Sequence, residues 1–254
     1  MLIDTHCHIY LEEFDIDRKE MISRAENEGV KFFLMPAIDT STHCLMEATE
    51  AINPGKCFSM MGLHPCSVKK GFETELDFVE QKLEERKFIA VGEIGLDFYW
   101  NKTFVDEQYR AFQRQISMAL KKNLPIVIHS RNSIDECIEV IKQNQKGNLK
   151  GVFHCFSGNA EQAKQIIDLG FHLGIGGVIT FKNSGLDKVM TNVDMNYVVL
   201  ETDAPYLAPV PFRGKRNESS YLKYVVEKFC GIKEISKEEI ENITTRNAKE
   251  LFSI

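Results

Sequence analysis

The sequence predicts an α/β protein built as a single (β/α)8 barrel of the TIM type. Its 254 residues match the roughly 250 that one such barrel usually takes. Eight short, nearly continuous apolar segments recur along the chain, and segments of helical periodicity lie between them. Apolar strands that alternate with helices are typical of a parallel sheet that is buried on both faces. Eight such units predict a closed barrel, and a doubly wound open sheet is the alternative.

The predicted strands are strand-sized apolar runs, several of them rich in β-branched or aromatic residues. In chain order they are LIDTH from Leu2, KFFLMPA from Lys31, CFSMMGLHP from Cys57, FIAVGEIG from Phe88, PIVIHS from Pro125, GVFHCFS from Gly151, FHLGIGG from Phe171 and YVVLETDAP from Tyr197.

The predicted helices carry apolar residues three and four positions apart. They include RKEMISRAENEG, TELDFVEQKLEERK, DEQYRAFQRQISMALKKN, SIDECIEVIKQNQ and AEQAKQIIDLG, and two trailing segments, SYLKYVVEKFCG and SKEEIENITTRNAKELF, are expected to pack outside the barrel. Gly170 occupies a typical helix C-terminal position, and Ser236 with Glu239 resembles a capping box. No linker rich in glycine, proline or serine interrupts this pattern, so we expect one domain over residues 1–254.

Composition narrows the class of protein. The hydrophobic content of 43% and the charged content of 27% are ordinary for a globular domain. There is no basic and apolar leader and no membrane-length apolar run. Seven cysteines without a CxxC pair do not form a secreted disulfide framework, so we expect the reducing cytosol. A net charge of −6 argues against a general nucleic-acid coat protein, and a polyanionic substrate would have to be held locally, for example by bound cations.

Polar residues cluster at the carboxyl ends of the predicted strands. Five of the seven histidines lie there, and His43 and His172 do not. Barrel enzymes assemble their active sites at this rim because its loops bring residues from several strands to one centre. A pair of histidines two residues apart is weak evidence alone, since both could lie on the surface. The full set is His6, His8, His64, Glu93, His129, His154 and Asp203.

Four of these histidines and two carboxylates exceed the needs of one tetrahedral zinc ion. They suit two divalent cations that share a bridging carboxylate, and Glu93 is the natural bridge. His6, His8 and Asp203 would complete one site, and His129 with His154 the other. Two cations roughly 3.5 to 4 Å apart can activate a water and stabilise both the attacking and the leaving oxygen of an in-line displacement. Phosphodiester hydrolysis uses this arrangement.

Seven motifs, in this order and at this spacing, resemble the TatD family of metal-dependent deoxyribonucleases in the amidohydrolase superfamily. They are IDTHCHI, GLHP, VGEIGLDFY, IHSR, HCFSG, LETDAPYL and PFRGKRNES, and the resemblance covers essentially the whole chain. It implies a distorted barrel, a divalent metal centre, and hydrolysis of DNA or RNA with 3′ to 5′ exonuclease action. The six ligands named above occupy the matching motif positions. Two positions depart from the family pattern: Tyr10 replaces a common aspartate, and Ser219 a common proline.

Individual roles follow from position. Asp203 is the candidate to accept a proton from the attacking water. Glu201 and Asp4 share strand faces with Asp203 and His6 and are expected to orient ligands. His64, free of the ligand set, could donate a hydrogen bond to a phosphate oxygen or protonate the leaving alkoxide, and a purely structural role is the alternative.

Substrate contacts are expected from basic and aromatic residues near the rim. Arg131 could clamp a phosphate, with an outward surface arginine as the alternative. The loop PFRGKRN could hold the substrate backbone unless it is only a solvated charge run. The aromatic run after the fourth strand could stack on an unpaired base or pack the loop. Cys7 and Cys155 face away from the histidines and are expected to be buried rather than ligands. The loop's cations are Arg213, Lys215 and Arg216, and the aromatic run is Phe98, Tyr99 and Trp100.

The leading prediction is therefore a two-metal nuclease that uses Mg²⁺, Mn²⁺ or Zn²⁺, acts on a nucleic-acid strand, and works as a monomer. A second hypothesis keeps the metals but hydrolyses an amide or ester, as in an aminoacyl-tRNA deacylase. Glu93 argues against small cyclic amides, since many amidohydrolases place a carbamylated lysine in this strand. A third hypothesis, a non-catalytic phosphate-binding barrel, would predict a missing ligand.

Overall fold

The computed structural model describes residues 1–254 and confirms the predicted single barrel of eight parallel strands. The strands are β1 (Leu2–Asp4), β2 (Val30–Met35), β3 (Cys57–Ser59), β4 (Val91–Asp97), β5 (Ile126–Arg131), β6 (Gly151–Phe153), β7 (His172–Ile175) and β8 (Val198–Leu200). The helices are α1 (Arg18–Asn27), α2 (Thr40–Ile52), α3 (Phe72–Glu85), α4 (Val105–Lys122), α5 (Ile134–Asn144), α6 (Ala160–Asp168), α7 (Leu186–Thr191), α8 (Leu222–Lys233) and α9 (Lys237–Phe252).

The barrel is distorted at two seams. The strands form one continuous ladder from β1 to β3 and a second from β4 to β8. Between β3 and β4 the contact is reduced to a bridge, in which Gly92 N donates to Met61 O at 3.0 Å. Between β8 and β1 the bridge pairs Cys7 with Ala204, and Thr5 N donates to Leu200 O at 3.0 Å. Both seams remain hydrogen-bonded, so the barrel closes.

The barrel interior is filled by apolar side chains and closed by the last helix. Besides the main core between strands and helices, a ten-residue cluster joins strand residues to Ala248, Leu251 and Phe252 of α9. Asn247 on α9 donates to the carbonyl of Val198, at the start of β8. The helix predicted to pack outside the barrel therefore also plugs the amino end of its strands. The strand-side members are Ile3, Leu34, Met60, Ala90, Val127, Val152 and Val199.

Local signals agree with the helix ends. Gly170 follows α6 with a φ of 81°, and the Ser236 side chain accepts the Glu239 N–H at the start of α9. Helices α2 and α7 were not singled out from the sequence. No helix combines the length and apolar character needed to cross a bilayer. Since α9 covers the amino ends of the strands, the loops at their carboxyl ends are the part of the barrel left to build a site.

Candidate metal centre

The first part of the site lies where the ends of β1 and β8 meet. Asp203 N donates to His6 O at 2.9 Å and His8 N donates to Ala204 O at 2.7 Å, which joins the segments that follow the two strands. This pairing brings three side chains together: Nε2 of His6 and Nε2 of His8 lie 3.7 and 3.6 Å from Asp203 Oδ1. The imidazoles are buried, whereas Asp203 keeps 14% of its side chain exposed. The carboxylate is thus the member of this group that solvent reaches.

Glu93 lies between two groups of histidines and directs one oxygen toward each. Its Oε2 lies 3.1 Å from His6 Nε2 and 3.5 Å from His8 Nε2. Its Oε1 lies 2.8 Å from both His129 Nδ1 and His154 Nε2. The sequence predicted that this carboxylate would sit between His6 and His8 on one side and His129 and His154 on the other, and the structure brings these residues together in that way.

A glycine allows this approach. Gly95 lies two residues after Glu93 and pairs with His129 across β4 and β5. Its φ is +141°, and a Cβ atom at this position would lie 2.1 Å from the His129 carbonyl oxygen. Only glycine tolerates both the backbone angle and the close contact. The motif VGEIG therefore positions Glu93 against the histidine of the neighbouring strand.

The electrostatics of the group favour a positive charge beside Glu93. Burial opposes the charge on Glu93, but His154, His64 and His6 hold the pKa of this carboxyl well below its ordinary value. Burial also lowers the pKa of His8, but the hydrogen bonds that its imidazole donates to Asp203 and Glu93 outweigh burial and raise the pKa to about 9. The carboxylates that would hold a proton here would equally hold a metal cation.

The outer nitrogens of the histidines show which nitrogen carries the proton. Tyr10 donates its hydroxyl hydrogen to Pro36 O at 2.6 Å, so its oxygen accepts from His8 Nδ1 at 3.0 Å. His129 Nε2 lies 2.9 Å from Asp97 Oδ2, to which it donates. Because a neutral imidazole carries one proton, the neutral forms of these two histidines, which are the forms that bind a metal, direct a bare nitrogen toward the centre. Tyr10 thus takes over the hydrogen-bond acceptor role that an aspartate could fill there.

His64 has the opposite arrangement. Its Nδ1 accepts the backbone N–H of Cys66 at 3.0 Å, so a neutral His64 carries its proton on Nε2. Burial lowers the pKa of His64 and keeps it neutral. Nε2 lies 3.3 Å from Glu93 Oε1, as close as some of the predicted ligands. His64 therefore presents an N–H donor to the centre, whereas His8 and His129 in their neutral forms present lone pairs.

Three further carboxylates lie around the centre, those of Glu201, Asp4 and Asp97, and each contacts different groups. Glu201 Oε1 accepts the backbone N–H of Cys155 at 2.6 Å and lies 3.4 Å from His154 Nδ1 without a hydrogen bond to it, so its orienting role stays a prediction. Asp4 does not orient His6, since its carboxylate accepts the backbone N–H and the hydroxyl of Thr202. Sequence reasoning missed Asp97, which holds His129. The signal was present, because Asp97 lies four residues after Glu93 on the same face of a strand.

The predicted substrate residues occupy three surroundings. His64 lies at the centre. Arg131 is exposed at the end of β5, with its guanidinium 4.0 Å from the Tyr99 ring centre. Arg213 and Lys215 are exposed on the loop after β8, and Arg213 lies 4.3 Å from the Phe181 ring centre. Neither of these two loop cations has an ion pair.

The prediction that Arg216 contributes a substrate-facing charge was wrong. Its guanidinium binds Asp17 at 2.7 and 2.8 Å and donates to Glu13 O at 2.6 Å. Asp17 also binds Arg24. The network ties the loop to α1, so this cation is structural and leaves two on the loop for other partners.

The donor set fits divalent cations. Three overlapping triads have ligand atoms within 4.8 Å of one another, and they combine imidazole nitrogens with carboxylate oxygens, which Zn²⁺ and Mn²⁺ accept. Cys7 is buried and Cys155 partly so, and neither belongs to a triad. The triads are His6, His8 and Asp203; His6, Glu93 and His154; and His64, Glu93 and His129.

The chain is similar to known proteins of one family. A family model described as TatD related DNase matches residues 3–253. The metal-dependent hydrolase YabD of Bacillus subtilis (strain 168) is 39% identical, over 100% of both chains.

Two solved structures share the fold. The TatD homologue YjjV from Escherichia coli K12 is 30% identical and superposes with a TM-score of 0.94 over 100% of this chain and 98% of that one. A TatD family hydrolase from Entamoeba histolytica, at 22% identity, has a TM-score of 0.85 over 99% of this chain and 97% of its own. The matched residues, the identity to YabD and the superposition on YjjV lead to one conclusion: the chain belongs to the TatD family of metal-dependent hydrolases.

Proposed function

We propose that this protein is a nuclease that hydrolyses phosphodiester bonds from a free 3′ end. Its substrate is DNA, with RNA as a second substrate. The proposed catalytic unit is one domain over residues 1–254. One observation carries the proposal: Glu93 directs one oxygen to each of two histidine groups, while His64 directs an N–H into the same space. Two sites for cations beside a hydrogen-bond donor suit a tetrahedral phosphate with several negative oxygens.

Both proposed cation sites are formed by residues of this one chain. Two divalent cations (Mg²⁺, Mn²⁺ or Zn²⁺), when bound, would supply an activated water and neutralise phosphate charge. Glu93 would contact both cations through its two oxygens. The first cation would also bind His6, His8 and Asp203, and the second His129 and His154.

Asp203 is the proposed proton acceptor. Its Oδ1 faces His6 and His8, whereas Oδ2 has no hydrogen-bond partner within the protein, and the side chain is the most exposed in its group. Burial tends to raise the pKa of Asp203, but His8, His154 and His6 lower it below its usual value. The carboxylate is therefore ionised at neutral pH and free to take a proton at its outward oxygen.

His64 is proposed to bind the phosphate through Nε2–H. The Cys66 amide occupies Nδ1, which favours hydrogen bonding to a phosphate oxygen over full proton donation to the leaving group, because the neutral ring has only this one proton. Arg131, Arg213 and Lys215 are proposed to hold phosphates further along the strand.

The proposed centre is complete within one chain, which supports a monomer. All seven cysteines are free thiols, which agrees with a reducing cytosol.

The test uses oligonucleotides labelled at the 3′ or the 5′ end, incubated with Mg²⁺ or Mn²⁺ and with or without a chelator. We expect mononucleotide release from the 3′ end that stops with chelator and in Asp203→Asn. Asp187→Asn, a half-buried aspartate on α7 that pairs with Lys228, is the matched control and should retain activity. Metal-dependent hydrolysis of esters or amides without any cleavage of oligonucleotides would refute the nuclease and support the alternative amidohydrolase or esterase.

A further inference from the structure

We propose that Tyr99, Trp100 and Arg131 form a stacking platform for an unpaired base of the substrate. The proposal rests on the nuclease function above and specifies its substrate as a strand with an unpaired end. The platform lies at the carboxyl ends of β4 and β5, beside the candidate metal centre.

The two aromatic rings of the platform face solvent. Phe98 packs against the main core, whereas Tyr99 is 51% and Trp100 67% exposed. Their ring centres lie 4.9 Å apart at an interplanar angle of 85°. Large aromatic side chains are usually well buried, so two adjacent exposed rings indicate a surface that receives a partner.

Arg131 adds a cation to the rings. Its guanidinium lies 4.0 Å from the Tyr99 ring centre and 5.2 Å from that of Trp100. No carboxylate of the chain lies within ion-pair distance of this guanidinium, although the protein carries a net charge of −6. A guanidinium stacked on an aromatic ring keeps its N–H edge free for a phosphate. The platform thus offers a π-face for a base and a charge for the adjoining backbone.

One carboxylate connects the platform to the centre. Asp97 Oδ1 accepts the backbone N–H groups of Tyr99 and Trp100, each at 2.9 Å, and its Oδ2 accepts from His129 at 2.9 Å. Arg131 follows His129 by two residues on β5, which is about 6.6 Å along a strand. The rings are therefore held at a fixed position one short step from the proposed scissile phosphate.

The chemistry favours an unpaired nucleobase. Each base has a π-face, and aromatic residues combined with arginine bind bases in single strands without sequence preference. Inside a duplex, both faces of a base are covered by its neighbours, and unstacking costs free energy. We therefore expect a preference for single-stranded ends over blunt duplexes.

Trp100 is the only tryptophan in the chain, so its fluorescence reports on this platform alone. Stopped-flow mixing with Mg²⁺ and a single-stranded thymidine hexamer records binding before cleavage. We expect the hexamer to quench the fluorescence and an abasic hexamer with the same phosphates to leave it nearly unchanged.

Kinetics provide a second readout. Trp100→Ala should raise KM for the single strand by about 5- to 150-fold, which is the usual contribution of one stacked base to affinity. Trp100→Phe keeps an aromatic ring and should have a KM close to that of the wild type. Arg131→Ala should raise KM as well. The control is Ile52→Ala, which removes a side chain 79% exposed at the end of α2 and should leave KM unchanged.

The outcomes separate the two proposals. Equal quenching by the abasic hexamer, no quenching by either, or an unchanged KM in Trp100→Ala would overturn the platform while oligonucleotide cleavage by the wild type kept the nuclease function. A wild-type protein that cleaves no oligonucleotide would refute the nuclease, and the platform with it.

Discussion

Replacing Asp97 by asparagine should separate the two tasks of this carboxylate. The new side chain can keep one oxygen for the amides of Tyr99 and Trp100, which now lie 2.9 Å from Oδ1. It then presents an NH2 group to His129 Nε2. A neutral imidazole that accepts a hydrogen bond at Nε2 carries its proton on Nδ1, the nitrogen that faces Glu93 at 2.8 Å. The fold is kept, but His129 loses the lone pair proposed to bind a cation.

The size of the effect follows from the contacts. To restore the original imidazole form, the amide must rotate and turn its NH2 group toward the two backbone N–H donors. This rotation breaks two hydrogen bonds that contribute about 0.5 to 1.5 kcal/mol each, so recovery costs roughly 1 to 3 kcal/mol. We therefore expect metal affinity to fall by about 5- to 150-fold. Loss of a partner that orients a metal-bound histidine typically costs about 10- to 100-fold, in the same range.

The assay is calorimetric titration of chelator-treated protein with Mn²⁺. Wild type should bind two ions, and Asp97→Asn should bind one of them more weakly and the other as before. Asp168→Asn, an exposed aspartate at the end of α6, controls for the loss of one negative charge. Two unchanged binding events in a folded Asp97→Asn protein would refute the proposed role of His129 Nδ1.

Further predictions concern the ligands' surroundings. Tyr10→Phe should lower the affinity for the ion beside Asp203 about tenfold, and Tyr10→Asp should raise that affinity. Calorimetry showing the reverse order would contradict this. His64→Ala should lower kcat by about 10²-fold with both ions retained in metal analysis, and loss of an ion would make His64 a ligand. A proton on His8, whose pKa is about 9, competes with metal, so Mn²⁺ affinity should rise by up to about tenfold per pH unit above pH 7 and level off beyond the pKa; a flat profile would exclude this competition. Arg216→Ala should lower the free energy of unfolding by roughly 1 kcal/mol without changing KM, whereas Lys215→Ala should raise KM and leave thermal unfolding unchanged.

Much of the fold could be predicted from the sequence because the strands are mostly apolar runs, and six of the eight carry a site residue near their carboxyl end. The barrel converts this one-dimensional pattern into a ring, so His6, Glu93 and His154 meet although they lie far apart in the chain. The seams between β3 and β4 and between β8 and β1 could not be predicted from the sequence, because they depend on isolated backbone hydrogen bonds rather than on continuous strand pairing.

The directions of the hydrogen bonds could not be predicted. The acceptor role of Tyr10 depends on the carbonyl of Pro36, and the donor role of His64 on the amide of Cys66. Arg216 reaches Asp17, 199 positions away in the chain. One cation of the loop therefore forms an ion pair at the start of α1, which the sequence alone could not show. Asp97, by contrast, could have been found from strand alternation after Glu93.

The central claim is that Glu93 holds two cations, one on each carboxylate oxygen. Anomalous diffraction from crystals soaked in Mn²⁺ tests it most directly. We predict two peaks roughly 3.5 to 4 Å apart on opposite sides of Glu93, one beside His6, His8 and Asp203 and the other beside His129 and His154. A single peak, or peaks away from Glu93, would contradict the claim.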